Sequence, residues 1–292
     1  MTVPIMDYEG SRWRTEFWRG REYEDAVERI ALAKLLPPRG TRLVEIGAGF
    51  GRLADLYRGY EQVILLDYAR SMLKDARERV GNDSRFIFVA ADLYNLPFAE
   101  NALDTALTVR VLHHVADIPK AFAQVSRSVR PQGTFITDFA NKKHLKAMVK
   151  WFARRAPSNP FDEEPYEFVK LNFDYHPRYI RKNLDAVGLE IREALAVSWF
   201  RIGVLKRVVP TALLVSLDDA LQRPTANLAI TPSIFYRAES QKAGEARLNE
   251  RLWRCVRCGA EEMRMGETVL GCESCGAEYK KVEGIWEMKS GA

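Results

Sequence analysis

The feature that most constrains this chain is the stretch Leu43-Val-Glu-Ile-Gly-Ala-Gly-Phe-Gly-Arg-Leu-Ala-Asp-Leu-Tyr57. Leu43 to Ile46 is a short, mostly apolar run of the kind buried in a parallel sheet. Gly47, Gly49 and Gly51 follow in alternation, and an amphipathic segment with Leu53, Leu56 and Tyr57 on one face comes next. Strand, glycine turn and helix make the first half of a nucleotide-binding βαβ unit. The glycines let the backbone turn sharply and approach a ligand closely, and a helix N-terminus offers N–H groups beside it.

The dinucleotide fingerprint is G-x-G-x-x-G, whereas here the third glycine arrives one residue early, as G-x-G-x-G. Glu45 stands two positions before the first glycine. The stretch resembles motif I of the class I S-adenosylmethionine-dependent methyltransferases. That cofactor has no pyrophosphate to cradle but carries an ammonium and a sulfonium, which a nearby carboxylate suits. Taken alone, the motif is also compatible with NAD binding or with a merely tight strand-to-helix turn.

Later segments add to the resemblance. Val63-Ile-Leu-Leu66 reads as a second strand ending at Asp67, and a carboxylate there can accept from both hydroxyls of a ribose. Asp67-Tyr-Ala-Arg-Ser-Met-Leu73 looks like the family's following motif, which implies Tyr68 and Met72 beside the adenosine. Phe86 to Ala91 is a third strand, closed by Asp92 and Leu93. The resemblance implies that Asp92 faces the adenine amine and Leu93 its ring, while the bland reading of Asp92 is a cap for the next turn. Asp104 to Val115 is a fourth strand with a His113-His114 exit, similar to the group that includes ubiquinone-biosynthesis methyltransferases. The family's cofactor contacts then fall on Glu45, Gly47, Ala48, Gly49, Gly51, Asp67, Tyr68, Met72, Asp92, Leu93, Val109 and Arg110. Val109 departs from the polar residue often found at its place, and Gln132 replaces a usual glycine in the turn before the fifth strand, Gly133 to Asp138.

The resemblance runs from about residue 40 to 138. Residues 8–36 have a helical pattern ended by Pro37-Pro38, and Trp13, Phe17 and Trp18 precede its apolar stripe, read as packing at the sheet edge rather than as a cofactor lid. Asp174 to Gly188 reads as a helix, and residues 191–197 and 228–237 supply two last strands. Pro232 predicts that the final strand is short, bulged or at an edge. The expected fold is α/β: a Rossmann-like, seven-stranded, mostly parallel sheet flanked by helices, plus a small C-terminal zinc ribbon. Its parts are an N-terminal helical segment (1–39), a methyltransferase domain (40–238) with inserts at 139–173 and 198–227, a polar linker (239–250) and the ribbon (251–292). The first insert carries Lys142 to Arg155, six basic residues and no acid, with Leu145, Met148, Val149 and Phe152 on one helical face. A solvated surface helix is the plain reading; a membrane surface or a phosphate-bearing partner is the sharper one.

All four cysteines lie after residue 254, in Cys255-x-x-Cys258-Gly and Cys272-x-x-Cys275-Gly, with thirteen residues between the pairs. That spacing is a zinc-ribbon signal, and four thiolates on Zn²⁺ make a structural site with no open position. The tail Ala277 to Met288 is similar to the end of the small zinc-ribbon activators that partner some methyltransferases. With a polar linker before it, the ribbon is expected to open on metal removal without disturbing the catalytic domain.

Cysteines in metal-site usage point to a reducing, cytoplasmic setting. The longest uncharged apolar run, Val208 to Leu217, has ten residues and includes Pro210, so no membrane span is expected. The N-terminus shows no signal-peptide pattern. The reading is methyl transfer from S-adenosylmethionine to a small-molecule or lipid-like acceptor. RNA is a second acceptor, favoured by the ribbon and the basic helix but weakened by a net charge of only +5. A non-catalytic cofactor-binding scaffold is a third reading. His113, His114 and His176 are the candidate bases, against a packing or capping role for each.

Overall fold

The structure is a computed structural model, which describes residues 3–11 and 17–289; Trp13 lies outside them. At its centre β1 (Gly40–Ile46) pairs in parallel with β2 (Tyr60–Asp67) on one side and β4 (Leu103–Thr108) on the other. β3 (Phe86–Ala91) follows β2, and β5 (Val129–Ala140) follows β4, all parallel. β9 (Ser233–Ser240) then pairs antiparallel with both β5 and β8 (Leu189–Val197). The apolar runs are buried from both sides, as an interior parallel sheet requires. Leu43, Val63 and Leu65 pack under α1 (Glu22–Leu35), α2 (Arg70–Val80) and α7 (Thr211–Gln222). Val44, Ile64 and Leu66 pack under α3 (Ile118–Ser128) and α5 (Pro177–Ala186). The remaining helices among the described residues, α4 (Leu145–Phe152) and α6 (Gly203–Val208), belong to the two inserts.

Four sequence expectations are corrected here. First, no α-helix follows the glycines; the segment makes only a 3₁₀ turn, Ala54–Leu56. Thirteen residues, 47–59, must return along a seven-residue strand. That strand is about 23 Å long, and thirteen helical residues reach only about 20 Å, so a helix leaves nothing for the turns. Leu53, Ala54 and Tyr57 are buried all the same.

Second, β9 is an eight-residue interior strand, because Pro232 sits just before it rather than within it. Third, the segment read as a linker is fastened down. Residues 239 and 240 close β9; Lys242 Nζ donates to the Arg127 and Val129 carbonyls, and Arg42 donates to the Asn249 carbonyl at 2.7 Å.

Fourth, the sheet has eleven strands instead of seven, in the order β10-β11-β12-β13-β3-β2-β1-β4-β5-β9-β8. The four added strands come from the cysteine module: β10 (Met263–Met265), β11 (Val269–Cys272), β12 (Glu278–Val282) and β13 (Ile285–Met288). β13 pairs in parallel with β3, Met288 opposite Ala91. Trp286 packs on Trp253 with ring centroids 6.0 Å apart, and Trp253 stacks on Phe98 at 6.2 Å. All three are buried in the same core as β1. Arg70 and Lys74 of α2 pair with Glu283 in the β12–β13 turn. A module that covers an otherwise open sheet edge with apolar rings is part of the fold, not an appendage.

Candidate functional site

The cofactor-sized pocket opens at the carboxyl ends of β1, β2, β3 and β4, the place where α/β sheets hold ligands. Of the residues expected around a cofactor, Glu45, Gly47, Ala48, Gly49, Asp67, Tyr68, Met72, Asp92, Leu93, Val109 and Arg110 line it. Gly51 does not; a Cβ there would press on Ala76 at 3.2 Å, so this glycine serves the packing of α2. At Gly49 the backbone is left-handed, φ +54°, and a Cβ would meet nothing within 4 Å. Its side-chain position points into open pocket.

Glu45 is buried, and its Oε2 has no hydrogen-bond partner. Burial pushes its carboxyl up to about 8, against the pull of Tyr57 and Arg52. An orphaned buried carboxylate oxygen in a ligand-sized pocket asks for a cation or a donor. The ammonium of an amino-acid-bearing ligand satisfies that requirement. Asp67 accepts from Gly49 N and Ala69 N, both at 2.8 Å, so it also braces the glycine turn. Each of its oxygens keeps a second lone pair for a ribose hydroxyl. Burial raises it to about 6. Asp92 caps the turn Leu93–Asn95, accepting from Tyr94 N at 2.7 Å, and lines the pocket as well. The capping reading and a ligand contact are compatible.

The pocket is also lined by residues that sequence reasoning did not place there: Ile5, Met6, Tyr8 and Trp18. Trp18 was expected at a sheet edge; instead it lines the cavity, with the Arg52 guanidinium 4.1 Å from its ring centre. Arg52 and Arg110 both pair with buried Glu28, which anchors this part of the pocket to α1. Arg110 is itself left-handed, φ +59°, and its N–H donates to Asp138 Oδ1. No local pattern in residues 3–11 announces this role, because the contacts are made with residues far along the chain.

The three histidines part company. His114 lines the pocket, whereas His113 does not, its ring lying against His114 with centroids 3.9 Å apart. Burial and the nearby charges of His114, Arg110 and Arg201 hold His113 well below the ordinary imidazole range. His176 lies outside the pocket and caps α5, accepting from Arg178 N at 3.2 Å. His114 Nδ1 is 2.9 Å from the Leu171 carbonyl oxygen, and its Nε2 is 2.7 Å from the Tyr8 hydroxyl. A carbonyl only accepts, so Nδ1 carries the hydrogen and Nε2 accepts from Tyr8. Burial lowers the His114 pKa, which keeps the ring neutral near pH 7. A neutral imidazole thus sits behind a phenol that faces the pocket.

The four cysteine Sγ atoms lie within 4.8 Å of one another, with Cys255–Cys275 and Cys258–Cys272 each at 3.6 Å. A tetrahedral ion with about 2.3 Å bonds to sulfur needs edges of about 3.8 Å, so the donor set suits a thiophilic four-coordinate metal.

Residues 44–137 match the family model described as a methyltransferase domain. An uncharacterized chloroplastic methyltransferase of Arabidopsis thaliana is 29% identical over 145 residues, 46% of this chain and 41% of that protein. A demethylmenaquinone methyltransferase of Corynebacterium kroppenstedtii is 33% identical over 111 residues, 37% of this chain and 46% of that one. The chain thus spans less than half the length of these relatives. Among solved structures, a chain in the complex between the Haloferax volcanii Trm112 methyltransferase activator and a methyltransferase aligns with a TM-score of 0.54. The identity is 18%, covering 79% of this chain and 96% of the other, which is a likeness of fold.

Proposed function

We propose that the protein transfers a methyl group from S-adenosylmethionine to a small-molecule or lipid-like acceptor. The observation that carries this reading is the buried Glu45 oxygen without a hydrogen-bond partner, on a residue that lines the same pocket as Gly49. Glu45 would take the ammonium, Asp67 the ribose hydroxyls and Asp92 the adenine amine. Bound there, the cofactor supplies an electrophilic methyl on a good leaving group, so the chain's own work is positioning, drying the site and removing a proton. Trp18, Ile5 and Met6, which line the pocket, would displace water from it once the cofactor is bound. The Tyr8 oxygen accepts the acceptor's proton as its own passes to His114 Nε2. His114 then holds the charge, with Nδ1 still bonded to Leu171. The cysteines Cys255, Cys258, Cys272 and Cys275 would hold a structural Zn²⁺, with no part in the chemistry.

A demethylmenaquinone methyltransferase among the relatives favours a small, apolar acceptor over RNA. The test is calorimetry with S-adenosylmethionine, its demethylated product and NAD, followed by a labelled-methyl screen of cell extract fractions. Saturable binding of the first two is expected, and loss of it in Gly49→Val. A left-handed β-branched residue costs about 1–3 kcal/mol of strain, so that variant should remain folded. Binding of NAD alone would refute the reading.

A further inference from the structure

The insert between β5 and α5 presents an apolar face to water. α4 buries none of its residues; Leu145 is 52%, Val149 59% and Phe152 77% exposed, at helical spacing on one side. The Phe152 ring lies 5.9 Å from that of Phe161, itself exposed. Across a cavity from α4 stands the hairpin of β6 (Tyr166–Val169) and β7 (Asn172–Asp174), with Phe168 and Val169 exposed near its tip. Interleaved with these are Lys143, Lys146, Lys150, Arg154, Arg155 and Lys170, none of them in an ion pair among the described residues. The acids of the insert are mostly committed. Asp162 is taken by Lys142, Glu167 accepts from Leu171 N, and Glu163 lies 3.9 Å from Arg178, which leaves Glu164.

We propose that this face docks on an anionic lipid bilayer and that a lipid-like acceptor enters the pocket from it; the second half rests on the acceptor class given above. A nucleic acid would use the cations but leave Val149 and Phe152 in water. A bilayer interface takes both at once: apolar tips reach the acyl boundary while lysine stems carry their charges to the headgroups. The face also adjoins the chemistry, since Leu171, in the turn of the hairpin two residues from exposed Val169, accepts from His114 Nδ1.

Vesicle flotation of the full chain tests this, with phosphatidylcholine alone and with phosphatidylcholine mixed with phosphatidylglycerol. The chain should float with the mixed vesicles and far less with the neutral ones. Val149→Ser with Phe152→Ser should cut that partition at least about tenfold. Lys146→Glu and Lys150→Glu should each cut it about fivefold or more. All four positions are exposed, so cofactor affinity in each variant should match the parent and show that the fold persists. The proposal is overturned if the parent chain does not float, if the variants float equally well, or if a transfer-RNA-sized RNA is bound more tightly than the mixed vesicles. A chain that floats as expected but methylates only water-soluble metabolites supports the docking face and overturns the lipid-like acceptor.

Discussion

Trp286→Ala is expected to destabilise the catalytic domain, although Trp286 lies within the cysteine module. The side chain is 3% exposed, packs on Trp253, and sits on β13 beside β3, opposite Val89. Truncating a buried tryptophan costs about 3–5 kcal/mol, from lost transfer energy and the cavity left behind. For a large domain each kcal/mol lowers the melting temperature by about 2–4 °C, so a fall of roughly 6 °C or more is expected. Differential scanning fluorimetry with and without cofactor measures it. One transition should be seen, shifted as a whole. Met265→Ala is the control, because Met265 is 66% exposed on the far strand of the module and should shift the midpoint little. Cofactor affinity should also fall for Trp286→Ala, since β3 leads directly into Asp92 at the pocket. Two separate transitions, with the larger one and the cofactor affinity unchanged, would refute the shared core.

Three further outcomes follow from the same geometry. Metal analysis should find one zinc per chain, and its removal by a chelator should lower both the melting point and the cofactor affinity; a ribbon that unfolds with affinity intact would restore the independent-module reading. Glu45 is raised from 4.5 to about 8 in the fold, so its stabilising protonation is complete below the unfolded value and is lost as pH rises towards 8. Glu45→Gln should therefore flatten the fall in stability of the cofactor-free chain between about pH 5 and about pH 8.5 in urea titrations, leaving the smaller slopes of Asp67 and Asp138, while weakening cofactor binding. Tyr8→Phe should lower kcat about a hundredfold or more with cofactor affinity nearly unchanged; an unaltered kcat would remove Tyr8 from the proton path.

The legible part of this protein was the part written in short-range pattern. Apolar run, glycines, second run and Asp67 occupy neighbouring positions, and their order alone places the pocket. The two C-x-x-C pairs were legible for the same reason, each being a local knuckle. What was missed depends on distance or on length. The missing helix after Gly51 follows from thirteen residues having to retrace a seven-residue strand, which no residue type announces. The pairing of Met288 with Ala91 joins positions nearly two hundred residues apart, and the polar composition of 241–250 disguised a segment pinned by Lys242 and Arg42. Pro232 misled the reading of the last strand as short, bulged or at an edge, because the chain starts β9 one residue after it.

His114 shows why the less regular segments matter to the chemistry. Its Nε2 meets Tyr8 from the N-terminal segment, its Nδ1 meets Leu171 from the first insert, and its backbone belongs to the exit of β4. Nothing intrinsic to imidazole decides which nitrogen is protonated. Here the Leu171 carbonyl decides it, because it can only accept. Move Leu171 away and Nε2 is free to carry the hydrogen; the ring would then donate to Tyr8 and could take no proton from it. The direction of proton flow in the proposed mechanism is therefore set by an insert, the segment outside the recognisable methyltransferase pattern. A chain built this way cannot exchange that insert for another without also resetting its base. In the proposed mechanism the N-terminal segment and the insert thus meet at one residue, and the join is made by two hydrogen bonds of 2.7 and 2.9 Å.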